Sequence, residues 1–288
     1  MNKYCTALCA VFLLSCTQQY YYGDLTFLGK LPHKLNEVSG IVTLNDSIAW
    51  VIEDNGNKDH LYAINLQGKL VKDLNVKSAK NNDWEDLAKD GNGNLFIGDF
   101  GNNYNHRKNL AIYKVSNPDK LVGNDIMAEK IEFNFPEQAN FPPSKEKMLY
   151  DCEAFFYWND FLYLITKNRT KPFSGKALVY KVPAKKGHHI AELIGDFVPC
   201  LDPDHCSITS ATISPDGQKI ILLGYGFLWV LTDFTMDDFS KGVIKTIDTK
   251  NRSQMEAICF LSNGTLLIAD EQSKTKGRNL YSYKINCD

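Results

Sequence analysis

The sequence predicts an all-β protein of the five-bladed β-propeller class. Five segments spread over more than 200 residues share one template, in which Ser or Glu stands ahead of an apolar residue. The segments are 38–41, 84–87, 152–155, 209–212 and 255–258, and their shared position reads Ser39, Glu85, Glu153, Ser210 and Glu256. Repeats of this size are typical of stacked or radial units, none of which buries its apolar face alone.

A hairpin turn follows each of these segments. Six to eight residues on, the dipeptides are Asn45-Asp46, Asn92-Gly93, Asn159-Asp160, Asp216-Gly217 and Asn263-Gly264. Such dipeptides reverse a β-hairpin, and the returning segments are apolar and β-rich. A second column lies 14 residues after the first and consists of Glu53, Asp99, Lys167, Gly224 and Asp270. We therefore expect each unit to begin with a hairpin held in constant register.

The remaining strands predict how the ring closes. A third strand follows each hairpin and a fourth follows in the first four units, whereas the last unit ends at the C-terminus without one. The segment 24–31 matches the missing strand in length and pattern. Pairing it with the last unit leaves no open sheet edge, so we expect the N-terminal strand to close the last blade. Residues 24–288 then form one propeller domain.

The first residues carry a secretion signal rather than part of the fold. Lys3 precedes an apolar stretch over residues 7–14, which is too short to span a bilayer. Residues 13–16, Leu-Leu-Ser-Cys, resemble a bacterial lipobox. We expect residues 1–16 to be a lipoprotein signal peptide with the lipid on Cys16, and residues 17–23 to be a tether; the alternative is an ordinary signal peptide. The predicted location is the cell envelope, with membrane contact through the lipid only.

Cysteine spacing predicts one disulfide, and the net charge limits the class of partner. Cys200 and Cys206 flank five residues and are close enough for a local disulfide, whereas Cys152 and Cys259 fall on predicted strands, where a thiol acts as a small apolar group. The pairing of Cys287 stays open. The formal net charge of -2 gives no reason to expect nucleic acid. We expect a monomer whose partner is a small-molecule substrate or an envelope protein.

The Ser/Glu column predicts a calcium site. The first strand of each blade lines the central channel, so Ser39, Glu85, Glu153, Ser210 and Glu256 would meet around one small volume. Three unpaired carboxylates there would repel and raise one another's pKa, and a bound hard cation would compensate their negative charge. Calcium accepts six to eight oxygen ligands in flexible geometry. The alternative is that these side chains only cap the inner strands by bonding to the backbone of the next blade.

The second column and its loops suggest chemistry on the same face. Glu53, Asp99, Lys167, Arg169 and Asp270 are the candidate catalytic residues. A carboxylate serves as a general base, while Lys and Arg hold non-bridging oxygens of a phosphoryl group. We therefore expect a calcium-dependent hydrolase of phosphate-containing or ester substrates. Two alternatives stay open: a glycosidase using two channel-face carboxylates, and a non-catalytic propeller that binds a ligand or a protein around a structural calcium.

These motifs carry a resemblance to known families. The Ser, Glu, Glu, Ser, Glu column resembles that of the calcium-activated nucleotidases, or apyrases, which are five-bladed propellers with one axial calcium. The likeness includes the segments 37–40, 84–87 and 255–258. A second similarity is to exported bacterial propellers of the SdiA-regulated and phytase-esterase-like families. These resemblances imply the fold and the metal, while the loops that would carry activity do not match.

Overall fold

The structure is a computed structural model that describes residues 21–261 and 264–285. The predicted signal peptide, the lipobox Cys16, the first part of the tether, Asn263 and Cys287 lie outside these ranges. Among the described residues, no helix has the length and apolar character needed to cross a membrane.

The described chain is built almost entirely of β-strands. In the N-terminal part these are β1 (Thr26–Lys30), β2 (Val38–Thr43), β3 (Ile48–Glu53), β4 (His60–Asn65), β5 (Leu70–Lys77), β6 (Trp84–Lys89), β7 (Leu95–Asp99), β8 (Ala111–Val115) and β9 (Asp125–Asn134). The central strands are β10 (Asp151–Trp158), β11 (Phe161–Lys167), β12 (Ala177–Pro183), β13 (Gly187–Ile190) and β14 (Glu192–Phe197). The C-terminal strands are β15 (Ser210–Ile213), β16 (Ile220–Gly224), β17 (Phe227–Thr232), β18 (Val243–Asp248), β19 (Met255–Phe260), β20 (Thr265–Asp270) and β21 (Asn279–Lys284). Short 3-10 helices cover Pro118–Lys120, Lys145–Lys147 and Met236–Lys241.

The strands form four-stranded antiparallel units of the kind expected for a β-propeller. Two separate sheets have the orders β10-β11-β12-β14 and β15-β16-β17-β18. A third has the order β1-β21-β20-β19, in which β1 pairs antiparallel with β21 and Lys30 lies opposite Asn279. The N-terminal strand therefore completes the C-terminal sheet, as the sequence analysis expects.

The first two units are fused into one larger sheet, which the sequence does not predict. Their outer strands β5 and β9 pair in parallel, with Asn75 opposite Asp125 and Lys77 opposite Met127. The short strand β13 then adds in parallel to the other end of β9. An outer strand has unpaired N–H and C=O groups along its edge, and the ten-residue β9 is long enough to supply partners to both neighbours.

The core lies between neighbouring units. One cluster joins Trp50 of β3 to Trp84 of β6, and another joins Phe156 of β10 to Trp229 of β17. Burying each such side chain contributes roughly 1.5–3 kcal/mol. The first strands also contact one another in a closed cycle, from β2 to β6, β10, β15, β19 and back to β2. The ends of these strands therefore meet around one centre, which is where the predicted site residues lie.

Candidate functional site

The Ser/Glu column coincides with a recurrent β-bulge. In four of the units the strand register shifts across the column residue, so that Ser39, Glu85, Glu153 and Glu256 each lie at the bulge. Ser210 is different, because it pairs directly with Leu223. A bulge leaves one residue outside the ladder and turns its side chain in a new direction. This backbone feature explains why a polar residue recurs in otherwise apolar strands.

A cluster of three carboxyl groups lies at the entrance to β6. Asp54 follows β3, Asp83 precedes β6, and Glu85 occupies the bulge on β6; one oxygen from each lies within 4.8 Å of the others. The backbone N–H of Asp54 donates to the Glu37 carbonyl at 2.9 Å. Gly101 passes directly beside the cluster, and a Cβ there would collide with the carboxyl groups of Glu85 and Asp83. The local backbone therefore leaves room for these groups to converge.

The electrostatics of this cluster favour a bound positive charge. Burial raises the pKa of Asp83 to about 7, and the Asp54 carboxylate adds to that rise. Burial also raises the pKa of Glu85 well above its usual range, with further contributions from Glu153 and Asp54. Within residues 21–261 and 264–285, no donor hydrogen-bonds to the Glu85 carboxylate. Asp54 Oδ1 accepts from the Asn55 N–H, whereas Glu85 has no such donor. Carboxyl groups this close together hold either protons or a cation, so this triad is suited to bind a metal ion through oxygen.

Cationic side chains surround the cluster. Arg107 donates from Nη2 to Asp99 Oδ1 at 3.0 Å, and its charge lowers the pKa of Asp83 against the effect of burial. Arg169 donates from Nε to Asp151 Oδ2 at 2.6 Å and from Nη2 to Glu153 Oε1 at 2.7 Å. The entrance to the channel therefore contains both signs of charge at close range.

The other predicted metal ligands have protein partners of their own. Ser39 Oγ donates to the Trp84 carbonyl at 2.9 Å. Glu153 accepts from Lys167 as well as from Arg169, and both Lys167 and Glu153 are buried. Glu256 Oε1 accepts from Tyr225 Oη at 2.6 Å and from Gln254 Nε2 at 3.0 Å. Of the predicted set, Glu85 is the member that lies in the acidic cluster.

Two carboxylates of the second column are engaged in the fold. Asp99 is fully buried and accepts from Asn82 Nδ2 at 2.7 Å and from the Asp83 N–H at 3.0 Å, besides its contact with Arg107. Asp270 accepts from the N–H of Asn279 at 2.6 Å and from Tyr281 Oη at 2.8 Å. These contacts tie neighbouring strands and loops together.

Glu53 and Lys167 differ from these two carboxylates. Glu53 is buried, and burial raises its pKa to about 7, with a further rise from Glu37. Burial lowers the pKa of Lys167, but the Glu153 and Glu256 carboxylates more than offset this effect, so its net pKa is raised. Lys167 is therefore a fixed positive charge beside the channel entrance.

Asp86 is the central residue that the sequence analysis missed. Its Oδ1 accepts from the Leu87 N–H at 2.8 Å and from Ser210 Oγ at 2.9 Å, while Oδ2 accepts from the N–H groups of Phe155 and Ala211, each at 3.2 Å. Ser210 Oγ in turn accepts from the Ile258 N–H at 3.3 Å. One buried carboxyl thus links β6 to β10, β15 and, through Ser210, β19.

A sequence signal for Asp86 existed. The position after the Ser/Glu column holds Gly40, Asp86, Ala154, Ala211 and Ala257. Asp86 is the single acid in a column of glycine and alanine, so its side chain is the one that occupies the space between the first strands. Gly40 is required by close approach, since a Cβ on it would lie 2.9 Å from the Asp86 Cα.

The cysteine pattern is also resolved for the described residues. Cys200 and Cys206 are joined by a disulfide with their Cα atoms 5.4 Å apart. Cys152 and Cys259 are free and buried, and burial raises the pKa of both thiols. Neither has the lowered pKa of a reactive cysteine.

Comparison with known proteins identifies the fold class. No protein-family model and no curated protein matches the chain. The PQQ-bound aldose sugar dehydrogenase from Streptomyces coelicolor is similar in structure, with a TM-score of 0.54 at 8% identity over 90% of this chain and 97% of that one. A glucose dehydrogenase gives a TM-score of 0.50 at 7% identity over 92% of this chain and 99% of that one. At these identities the likeness shows the β-propeller fold alone.

Proposed function

We propose that this chain is a five-bladed propeller that binds calcium at the Asp54, Asp83 and Glu85 cluster and hydrolyses phosphate-containing or ester substrates there. The convergence of three carboxyl groups within 4.8 Å, two of them buried and that of Asp54 half-buried, with no donor to Glu85 among the described residues, is the observation that carries the proposal. The blade count is supported by the closed cycle of first strands β2, β6, β10, β15 and β19.

The donor set fits a hard cation. All three side chains offer oxygen, which favours calcium or magnesium over zinc. Asp54 and Asp83 belong to connecting segments rather than to strands, and a site built on such segments adjusts more readily to the longer, variable distances that calcium accepts. When bound, such a cation polarises a phosphoryl or carbonyl oxygen and lowers the pKa of a bound water.

The neighbouring side chains have distinct roles in this proposal. Arg169 is positioned to hold an anionic oxygen of a substrate, because its Nη1 donates to no acceptor among the described residues. All three nitrogens of Arg107 donate within the fold, so Arg107 contributes its charge. Glu53, which directly precedes Asp54 and whose pKa burial raises to about 7, is the proposed general base. Lys167 orients Glu153 and lowers the pKa of that carboxyl, although burial leaves it raised to about 8. Asp99 and Asp270 have structural roles, because their oxygens already accept hydrogen bonds from the fold.

The test is cation-dependent turnover. Phosphate and ester release would be measured on nucleoside phosphates, phosphomonoesters and aryl esters, with calcium, with magnesium and with chelator. Glu85→Gln removes one ligand charge at nearly constant shape, and Glu129→Gln, an exposed carboxylate on β9, is the matched control. We expect turnover that calcium restores, that Glu85→Gln abolishes and that the control retains. Turnover that chelator leaves unchanged would refute the cation's role.

A binding function is the second candidate, and a specific observation favours it. Of the predicted catalytic residues, Asp99, Asp270 and Lys167 are all buried and engaged by protein partners. A propeller that uses calcium only for stability would have few free side chains at its centre. In that case calcium raises the melting temperature in the same assay series while no substrate in the panel turns over.

We propose that the mature chain is monomeric and attached to the cell envelope through a lipid on Cys16. The support is the lipobox over residues 13–16. Metabolic labelling with a fatty acid should mark the parent chain and leave Cys16→Ala unlabelled. Labelling that persists in this variant would overturn the assignment.

A further inference from the structure

A large cavity lined by both polar and apolar groups lies next to Glu256 of the Ser/Glu column. Its volume is about 1020 Å³, and it opens at the seam between the sheet of β15–β18 and the sheet that contains β19–β21 and β1. It is lined by Tyr225 from the β16–β17 turn, by residues 251–254 before β19, and by residues 270, 271 and 273–277 at and after the end of β20. Asp204 and His205 line it as well. This volume is at the upper end of the roughly 300–1,000 Å³ found for small-molecule sites.

The inner wall of this cavity belongs to the channel entrance. Tyr225 and Gln254 line the cavity, and both donate to Glu256, at 2.6 and 3.0 Å. Glu271 lines it as well, and burial raises its pKa to about 8, with further rises from Glu256 and Asp54. A ligand in the cavity would therefore lie near Glu256 of the Ser/Glu column.

Three lysines outnumber the one exposed carboxylate, Asp204, in the lining of the cavity. Lys30, Lys274 and Lys276 line the cavity, and within the described part of the chain none of them forms an ion pair. Of the other two acidic lining residues, Asp270 is occupied by its bonds to Asn279 and Tyr281, and burial raises the pKa of Glu271 to about 8. Three exposed ammonium groups around one opening attract an anion.

The wall offers polar and aromatic groups suited to a hydroxylated ring. Ser253 Oγ is buried without a hydrogen-bond partner, which marks a donor and acceptor left for a ligand or water. The hydroxyls of Ser273 and Thr275 likewise make no hydrogen bond to the described residues. Tyr225 adds the flat face of its ring. Hydroxyl groups and an aromatic face together match a sugar ring, whose hydroxyls need partners and whose C–H face packs on aromatics.

We propose that this cavity binds an acidic sugar derivative, a hydroxylated ring that carries a carboxylate or a phosphate. The anion lies among Lys30, Lys274 and Lys276, and the ring lies against Tyr225 and Ser253. The inference that such a ligand is the substrate rests on the proposed function. The inference that it binds in this cavity does not depend on that function.

The experiment is a matched binding series measured by calorimetry on the mature chain. Glucuronate and glucose 6-phosphate carry the two anions, and glucose is the neutral reference. The charge-removing variant is Lys274→Gln with Lys276→Gln. Its control is Lys185→Gln with Lys186→Gln, two exposed lysines in the turn between β12 and β13.

We expect at least one anionic sugar to bind about tenfold more tightly than glucose, as one charge-assisted contact permits. The Lys274 and Lys276 variant should lose that difference, and the control should keep it. Comparing glucuronate with glucose 6-phosphate tells a carboxylate ligand from a phosphate ligand. Equal binding of glucose, no binding of all three sugars, or equal loss in the control variant would each overturn the proposal.

The same series separates this inference from the proposed function. Glu85→Gln removes a cation ligand but leaves the cavity wall intact, so sugar binding should persist while turnover is lost. Sugar binding without any turnover in the parent chain would support the cavity and refute the hydrolase. Turnover without sugar binding would support the hydrolase and refute the proposed ligand of the cavity.

Discussion

Replacing Asp86 by alanine tests whether one buried carboxyl organises the centre of the ring. The change removes both oxygens and leaves the N–H groups of Leu87, Phe155 and Ala211 without their acceptor, together with the Ser210 hydroxyl. All four donors are buried, and they belong to three different first strands. No other side chain on those strands replaces the lost acceptor, because the equivalent positions are Gly or Ala.

The expected cost follows from the number of donors. Each buried donor left unpaired costs about 1–3 kcal/mol, so four would cost at least about 4 kcal/mol. The loss of the buried carboxyl itself offsets part of this, because burial raises the pKa of Asp86 well above its usual range and so makes the charged form unfavourable. A net loss of about 3–5 kcal/mol of unfolding free energy remains. Asp86→Asn keeps one acceptor oxygen and should lose less, about 2 kcal/mol.

Thermal and chemical unfolding would measure this loss. At roughly 2–4 °C per kcal/mol for a large domain, Asp86→Ala should melt about 10 °C below the parent. The control is Asp196→Ala, which breaks an exposed ion pair with Lys176 and should cost less than about 1 kcal/mol. A melting temperature of Asp86→Ala within about 2 °C of the parent would refute the reasoning, since the four donors would then have other partners.

Three further predictions concern the acidic cluster and the second column. In chelator, the unfolding free energy should fall as pH rises from about 4 through about 7, because the pKa of Asp83 is raised from 3.8 to about 7 in the fold and the protonated form is the stable one. Calcium should reduce that fall. A melting temperature that increases over this pH range would contradict the prediction. Gly101→Ala should raise the calcium concentration needed for half of the stabilisation at least tenfold, because its Cβ displaces the Glu85 and Asp83 carboxyl groups. Gly91→Ala has open space at its Cβ and should match the parent. Asp270→Asn should lose about 1–3 kcal/mol in urea unfolding with the calcium response intact, since the three donors that reach Asp270 keep only one acceptor oxygen; a lost calcium response would place Asp270 in the cation site instead.

Much of the β architecture was predictable because it is encoded locally. The turn dipeptides at Asn45, Asn92, Asn159 and Asp216 each lie between two strands of an antiparallel pair, and the apolar runs after them are strands. The missing fourth strand of the last unit pointed to the N-terminal segment, which pairs with β21. These inferences need only hairpin chemistry and strand counting.

The side-chain partners at the centre were not predictable in the same way. The sequence placed Ser39, Glu85, Glu153, Ser210 and Glu256 in one column, but it did not distinguish a carboxylate paired with Lys167 from one facing other acids. That difference depends on which loop reaches each position. Asp54 and Asp83 come from connections whose course no strand periodicity specifies.

The sequence by itself determined the strands, their turns, the recurring polar position and the candidate lipobox, because each of these depends on residues close together in the chain. Only the tertiary structure decided that Asp86 joins three first strands, that β5 and β9 pair across two units, and that Asp54, Asp83 and Glu85 converge. These features arise where strand ends and loops from distant repeats meet, and their energies depend on burial and on charges that come together only in the folded chain.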